Sequence, residues 1–289
     1  MWVDVYELSA FTIEGTGGNP AGVVLETAGL TVADMQEIAR LVGFSETAFV
    51  FPSSKADYQI RYFTPNEEVD ICGHATIATF SVLLQQKLVI PGTFLIETKS
   101  GLLNVTVNEN DSVFLEQNQP NFGEIIPVEE IAQSLGIEEA DLIPELPIQI
   151  VSTGLPDIII PVKNLSVLKN INPNFPLIKE ISKKWNVIGY HVFTLETLQS
   201  SSAHCRNFAP LFGINEESAT GTANAALACY LSKYRVVDKD HIHFEQGYVM
   251  NRPSEIAVKL AFDAGEISNV QVGGFSSLYE KRRILIEEN

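Results

Sequence analysis

Apolar residues recur along this chain with two periods, and the positions where one gives way to the other mark its centre. From Tyr58 to Thr64 apolar and polar side chains alternate as in a half-buried strand, and Pro65 with Asn66 to Glu68 makes the turn that closes it. From Ala75 the alternation is replaced by Ala75, Ile77, Ala78, Phe80, Val82, Leu83 and Leu84, which leave no face of a helix charged. A helix that is apolar all round must be enclosed, because any solvent-facing stripe would leave apolar area in water. The pattern predicts a central helix wrapped by sheet, with its N-terminus at Gly73-His74.

The same arrangement returns near the other end of the chain. Arg206-Asn207-Phe208-Ala209-Pro210 precedes Ala219-Thr220-Gly221-Thr222-Ala223, and Ala225 to Leu231 is again apolar. Both copies read R-x-F-x-P, a turn, G-x-A and a buried helix, which indicates an internal duplication and two similar lobes. Free N–H groups and the positive end of the dipole at each helix start favour an anion. Amides at Gly73 and Gly221 could then serve one ligand across a cleft.

Around these copies the remaining elements follow. Trp2 to Tyr6 alternates as a strand; Gly15 to Gly22 is a glycine-rich loop before the strand Val23 to Leu25, without the Gly-Lys-Ser/Thr ending of a phosphate loop. Thr31 to Val42 is an amphipathic helix with Thr31 as N-cap and Gly43 as its stop, and Phe44 to Val50 is a strand. Residues 85 to 117 read as strands, and Gln117 to Gly123 as a polar linker. Beyond it, helices are expected at Val128 to Leu135, Glu138 to Leu142 and Asn174 to Trp185. Strands are expected at Gln149 to Ser152, Asp157 to Val162, Val187 to Thr194, His241 to Gln246, Glu255 to Phe262 and Asn269 to Gly274. The expected lobes are 1–117 and 124–274, leaving 275–289 as a charged, exposed tail with the N-terminal lobe as its packing surface. The fold class is α+β, each lobe a barrel-like mixed sheet around an apolar helix.

Composition narrows the functional classes. With 36 acidic and 19 basic residues the formal charge is -17, which repels polyanions, and there is no basic stripe. Nucleic acid and membrane are therefore not expected as partners; no apolar run approaches a membrane span, and the start lacks a basic n-region. Three cysteines without a C-x-x-C pair suit a reducing cytoplasm. His241 and His243 lack a third ligand nearby, so no metal site is expected.

Glu46 stands among apolar residues. It is either an outward-facing strand residue or a general acid/base, since apolar surroundings can raise a carboxyl above its ordinary value of ~4.3 and suit it to proton transfer at carbon. Gly154 and Asp157 are placed to line a cleft, and Arg252 is a cleft guanidinium or a surface charge.

Several ordered segments resemble the PhzF family of phenazine-biosynthesis-like isomerases, which share a two-lobed fold with diaminopimelate epimerase and proline racemase. They are Gly18-Asn19-Pro20-Ala21, Ser45-Glu46-Thr47-Ala48, Arg61-Tyr62-Phe63-Thr64-Pro65, Asp70-Ile71-Cys72-Gly73-His74-Ala75-Thr76, Glu97-Thr98-x-Ser100-Gly101, Arg206-x-Phe208-Ala209-Pro210, Ala219-Thr220-Gly221-Thr222-Ala223, Glu245-Gln246-Gly247 and Arg252-Pro253-Ser254. The resemblance implies a cofactor-free isomerase of a small, cyclic amino or carboxylic acid, with the site between lobes and a homodimeric assembly. It implies Glu46 as the catalytic glutamate and His74 as a second active-site residue. Asn19, Gly73, Gly221 and Thr222 fall at substrate-binding positions. Glu217 stands where the family usually has an aspartate, and Thr222 where it has serine, which points to a different substrate shape. The alternatives are an amino-acid epimerase of the same fold, with Glu217 or His74 as second base, and a non-catalytic carboxylate-binding protein. Two-thiol epimerases place cysteines at both helix starts. Here only the first has one, so Cys72 reads as a small buried residue, and Cys229 as core.

Overall fold

A helix without a polar face dictates what must surround it, and both such helices are enclosed by strands. The computed structural model describes residues 1–286. It divides into two units, Met1–Glu116 with the C-terminal segment from Gly273, and Gln117–Val272.

The first unit contains β1 (Trp2–Ala10), β2 (Asn19–Val24), α1 (Val32–Val42), β3 (Glu46–Phe51), β4 (Tyr58–Phe63), β5 (Glu68–Val69), α2 (Gly73–Gln85), β6 (Gly92–Thr98), β7 (Gly101–Val107) and β8 (Val113–Gln117). The second contains β9 (Asn121–Ile125), α3 (Val128–Leu135), β10 (Gln149–Ser152), β11 (Pro156–Pro161), α4 (Leu165–Asn170), α5 (Phe175–Trp185), β12 (Gly189–Thr194), β13 (Ala203–Ala209), β14 (Ile214–Glu217), α6 (Gly221–Lys233), β15 (His241–Gln246) and β16 (Ser254–Asp263). β17 (Glu266–Gly274) and β18 (Ser276–Leu285) complete the chain.

Strand pairing repeats between the units. β1 runs antiparallel to β2, β2 parallel to β3, β3 antiparallel to β4, β4 parallel to β6, and β6 antiparallel to β7. In the same sequence β10, β11, β12, β13, β15 and β16 pair antiparallel, parallel, antiparallel, parallel and antiparallel. The duplication in the sequence is thus a duplication of topology. Helix α2 packs against β1, β2, β3 and β18, with every residue from His74 to Leu83 buried. Helix α6 packs against β10, β11, β12 and β16, with most of Gly221 to Leu231 buried. The opposite faces of the strands carry amphipathic helices. Met35, Ile38, Ala39 and Val42 of α1 pack with Val3, Val5, Val24 and Phe49 in one core cluster. Ile131, Leu135, Ile178 and Ile181 of α3 and α5 pack with Ile158, Ile160, Tyr190 and Val192 in another.

A wholly buried helix still needs its register fixed, and each unit supplies polar ties for it. In the first, Tyr62 on β4 and Thr76 on α2 share a hydroxyl hydrogen bond of 2.6 Å. In the second, Asn207 on β13 lies 3.3 Å from His191 Nδ1, and His191 Nε2 lies 3.2 Å from Asn224 Oδ1 on α6. Burial pushes His191 down to about 4, so the ring is neutral near pH 7, and an Nε2–H donating to Asn224 satisfies both contacts.

The structure departs from the sequence reading in five places. The strand β2 begins at Asn19, so Asn19 to Gly22 belong to a strand and not to the glycine loop; Pro20 is opposite Ser9 on β1. The predicted linker contains β9, which pairs with β10. The predicted exposed tail contains β18, which pairs along the length of β1 from Trp2 opposite Leu285 to Ala10 opposite Ser276. Leu165–Asn170 forms a short helix that the sequence reading lacks, capped by Asn164, whose side chain accepts from Val167 N–H. The 138–142 segment is a single 3-10 turn, Glu139–Asp141. Among the described residues no helix is long and apolar enough to cross a membrane.

The arginine of each R-x-F-x-P copy clamps the following strand. Arg61 makes a bidentate pair with Glu68, both contacts 2.8 Å, and stacks over Phe63. Arg206 makes the same pair with Glu216, stacks over Phe208, and also donates to the carbonyls of Leu168 and Ile171. Arg206 is 6% exposed and Arg61 26%, and Glu68 keeps Lys99 as a second partner at 2.8 Å. Removing the deeper clamp leaves a half-buried carboxylate and two carbonyls without their donor. Arg206→Ala is expected to cost about 3–5 kcal/mol and Arg61→Ala about 1 kcal/mol, read as the shifts in urea midpoint at pH 7.

Candidate active site

Helix α2 starts where β5 has ended, and its cap residue Cys72 provides no side-chain hydrogen bond to the first turn. The same holds for Thr220 at the start of α6. Neither helix start is therefore neutralised by its own cap, which leaves first-turn amides to bind an anion. A methyl group added at Gly73 would meet no atom within 4 Å, so there is open space at this terminus.

Of the residues singled out in the sequence, four meet around this point. His74, one residue into α2, is buried, with Nε2 3.3 Å from Glu46 Oε2 at the first position of β3. Asn19 Nδ2, at the first position of β2, lies 3.4 Å from His74 Nδ1, and Gly73 adjoins it in sequence. Two residues without an assigned role belong to the same cluster. Ser45 Oγ is 3.4 Å from His74 Nε2, and Cys72 Sγ is 3.4 Å from Nδ1 and 3.8 Å from Nε2. Cys72 is thus buried, as expected, but against the imidazole. The Glu46 Oε2 atom is buried and accepts no hydrogen bond; its approach to His74 lacks hydrogen-bond geometry.

Glu217, Gly221 and Thr222 lie in the second unit. Glu217 ends β14, and Thr220 Oγ1 donates to its Oε2 at 2.7 Å. Gln246 fixes that hydroxyl: its Nε2 donates to Thr220 Oγ1 and to the Glu217 carbonyl, while its Oε1 accepts from Thr220 N–H and from Asn224. A continuous polar chain therefore runs from Asn207 through His191, Asn224, Gln246 and Thr220 to Glu217. Thr222 contributes its carbonyl to Thr153 Oγ1 at 3.3 Å. Of the side chains expected along a cleft, Asp157 is 2% exposed.

Asp157 has a special position in the duplicated register. Ala21 on β2 faces Glu46 on β3, whereas on the corresponding strands Asp157 faces Gly189. The carboxylate has moved from one strand of the pair to the other. Gly189 is required there, because a Cβ would lie 1.9 Å from the Phe208 carbonyl oxygen. Its N–H donates to Asp157 instead. Burial, reinforced by the charge of Glu217 and opposed by that N–H, raises Asp157 to about 7. Sequence reasoning gave Asp157 no more than a place along a cleft, since the signal lies in which strand residue it opposes.

A carboxyl whose folded value is raised binds its proton more tightly folded than unfolded. Its contribution is complete below about pH 4 and is lost as pH rises towards about 7. Asp157→Asn is expected to remove this loss, so its urea midpoint should gain on wild type between pH 5 and pH 8 by the equivalent of roughly a few kcal/mol. Parallel pH profiles for the two proteins would rule the assignment out.

With this geometry in hand, comparison with known proteins is informative. A family model described as phenazine biosynthesis-like protein matches residues 8–282. An uncharacterized isomerase of Clostridium acetobutylicum is 36% identical over 296 residues, covering 98% of each chain. One of Bacillus subtilis is 34% identical over 289 residues, also covering 98% of each. The crystal structure of a PhzF-family phenazine biosynthesis protein of Bacillus anthracis matches with TM-score 0.91 at 35% identity, over 99% of this chain and 100% of that one. A hydroxyproline epimerase of Agrobacterium vitis shares the fold at 15% identity, with TM-score 0.65 over 98% of this chain and 91% of its own. A duplicated α+β topology around two apolar helices, matched over nearly its whole length in sequence and structure, places this chain in the phenazine biosynthesis-like (PhzF) family of isomerases.

Proposed function

We propose that this protein moves a proton between carbons of a small, cyclic amino or carboxylic acid, with Glu46 as the general acid/base. The observation that carries this reading is the Glu46 Oε2 atom, buried, without a hydrogen-bond donor, and 3.3 Å from a buried imidazole. A carboxylate oxygen not engaged by a donor is open to accept a C–H proton placed beside it.

In this reading the substrate carboxylate docks on the first-turn amides around Gly73, with those around Gly221 as their duplicated counterpart, and the helix dipoles stabilise the charge that develops on deprotonation. Glu46 takes the proton and returns it at another carbon. His74, Asn19 and Thr222 orient the substrate, and Glu217, held by Thr220, relays a second proton. The protein works as a cytoplasmic homodimer without an organic cofactor. A second reading, inversion at the α-carbon, draws support from Asp157 and Glu217, where a raised carboxyl beside a carboxylate supplies a second proton donor.

Deuterium incorporation from heavy water into a panel of cyclic and acyclic amino and carboxylic acids tests both. Incorporation at a carbon other than the α-carbon, reduced about 10²–10⁴-fold in Glu46→Gln and weakened in Glu217→Gln, is the expected result. Label confined to an inverted α-carbon would replace isomerisation by epimerisation. A compound that binds without any exchange would leave a carboxylate-binding protein.

A further inference from the structure

Three unlike donors cluster around the His74 ring. Donor atoms of Glu46, Cys72 and His74 all lie within 4.8 Å of one another. His74 Nε2 is 3.3 Å from Glu46 Oε2 and 3.8 Å from Cys72 Sγ. Bond lengths of about 2.3 Å to thiolate sulfur and about 2.0–2.1 Å to imidazole nitrogen or carboxylate oxygen put the edges of a tetrahedral site at roughly 3.3–3.6 Å. The Nε2–Oε2 edge already has this length, and closing the site requires Cys72 Sγ, now 3.4 Å from Nδ1, to turn towards Nε2.

Local structure supplies the rest of a coordination site. Each donor is on a regular element or its cap: Glu46 at the start of β3, Cys72 at the cap of α2 and His74 within it. The buried Glu46 Oε2 has no competing hydrogen bond to give up. Asn19 lies 3.4 Å from His74 Nδ1, the ring nitrogen away from the carboxylate. With its amide turned so that oxygen faces the ring, it would accept from Nδ1–H and present Nε2 as the ligand.

We propose that Glu46, Cys72 and His74 form a binding site for a thiophilic divalent cation of the Zn²⁺ type, and that its occupation withdraws the Glu46 carboxylate from proton transfer. The donor set selects the ion: a thiolate and an imidazole suit Zn²⁺ and Co²⁺, whereas Mg²⁺ and Ca²⁺ require oxygen shells. Binding forms three protein–metal bonds and releases the Cys72 thiol proton to solvent, with no change of oxidation state. The site stands on this geometry, and only the loss of proton transfer rests on the reaction proposed for Glu46.

The test uses the untagged, chelator-treated full chain titrated with CoCl₂. One Co²⁺ per chain with a thiolate-to-cobalt charge-transfer band is expected, displaced by ZnCl₂ and unaffected by excess MgCl₂. Cys72→Ala should lose the band and bind Zn²⁺ at least about tenfold more weakly, while Cys229→Ala, altered inside α6, keeps both. A second readout needs no variant: ZnCl₂ should slow alkylation of Cys72 in the wild-type chain at least about tenfold, followed by peptide mass mapping. Absence of the band, its survival in Cys72→Ala, or an alkylation rate unchanged by ZnCl₂ would overturn the proposal. Because binding is read spectroscopically, a failed deuterium-exchange assay leaves this result standing, and a failed titration leaves the exchange result standing.

Discussion

Two helices without a polar face set the terms for everything else in this molecule. Removing the whole circumference of α2 and α6 from water requires strands around each, and the strands in turn require amphipathic helices on their outer faces. Once enclosed, such a helix has no charged stripe to fix its rotation, so a few hydrogen bonds carry that task. Tyr62 to Thr76 does so in one unit, and the chain from Asn207 through His191 to Asn224 in the other. The ends of the helices, at Gly73 and Gly221, are the places where main-chain polarity emerges from this apolar setting.

The two copies solve the same folding problem with different polar residues. The clamp of arginine on glutamate is retained in both, as Arg61 with Glu68 and Arg206 with Glu216. The clamp holds the following strand in each copy, while the polar residues at the two helix starts differ. In the first unit the helix start is surrounded by Glu46, His74, Asn19 and Cys72. In the second it is surrounded by Thr220, Gln246 and Glu217, already hydrogen-bonded to one another. One half-site holds an unengaged carboxylate oxygen, and the other a network that is largely satisfied.

Much of this was legible in the sequence because burial leaves a periodic trace. The all-apolar run after Gly73, its copy after Gly221, and the Thr31 cap with its Gly43 stop are local signals, and the elements they predict are present. What was not legible depends on pairing. Asn19-Pro20 reads as a turn by composition, yet β1 and β3 on either side draw it into a strand. The charged residues of β18 look like a solvent tail, but Lys281, Arg282 and Arg283 pair with Asp4 and Glu7 across the strand. Cys72 was indistinguishable from a small core residue until the direction of His74 was known, and the role of the repeated arginine needed its partner glutamate on the next strand.

Gly189 makes the duplication asymmetric. The position that carries Glu46 in the first copy is occupied in the second by a residue whose side chain would collide with the Phe208 carbonyl. A glutamate cannot be accommodated there without moving β13 as well. The register that accepts a carboxylate side chain in the first copy is closed to any side chain in the second, so the two lobes are not interchangeable at this position.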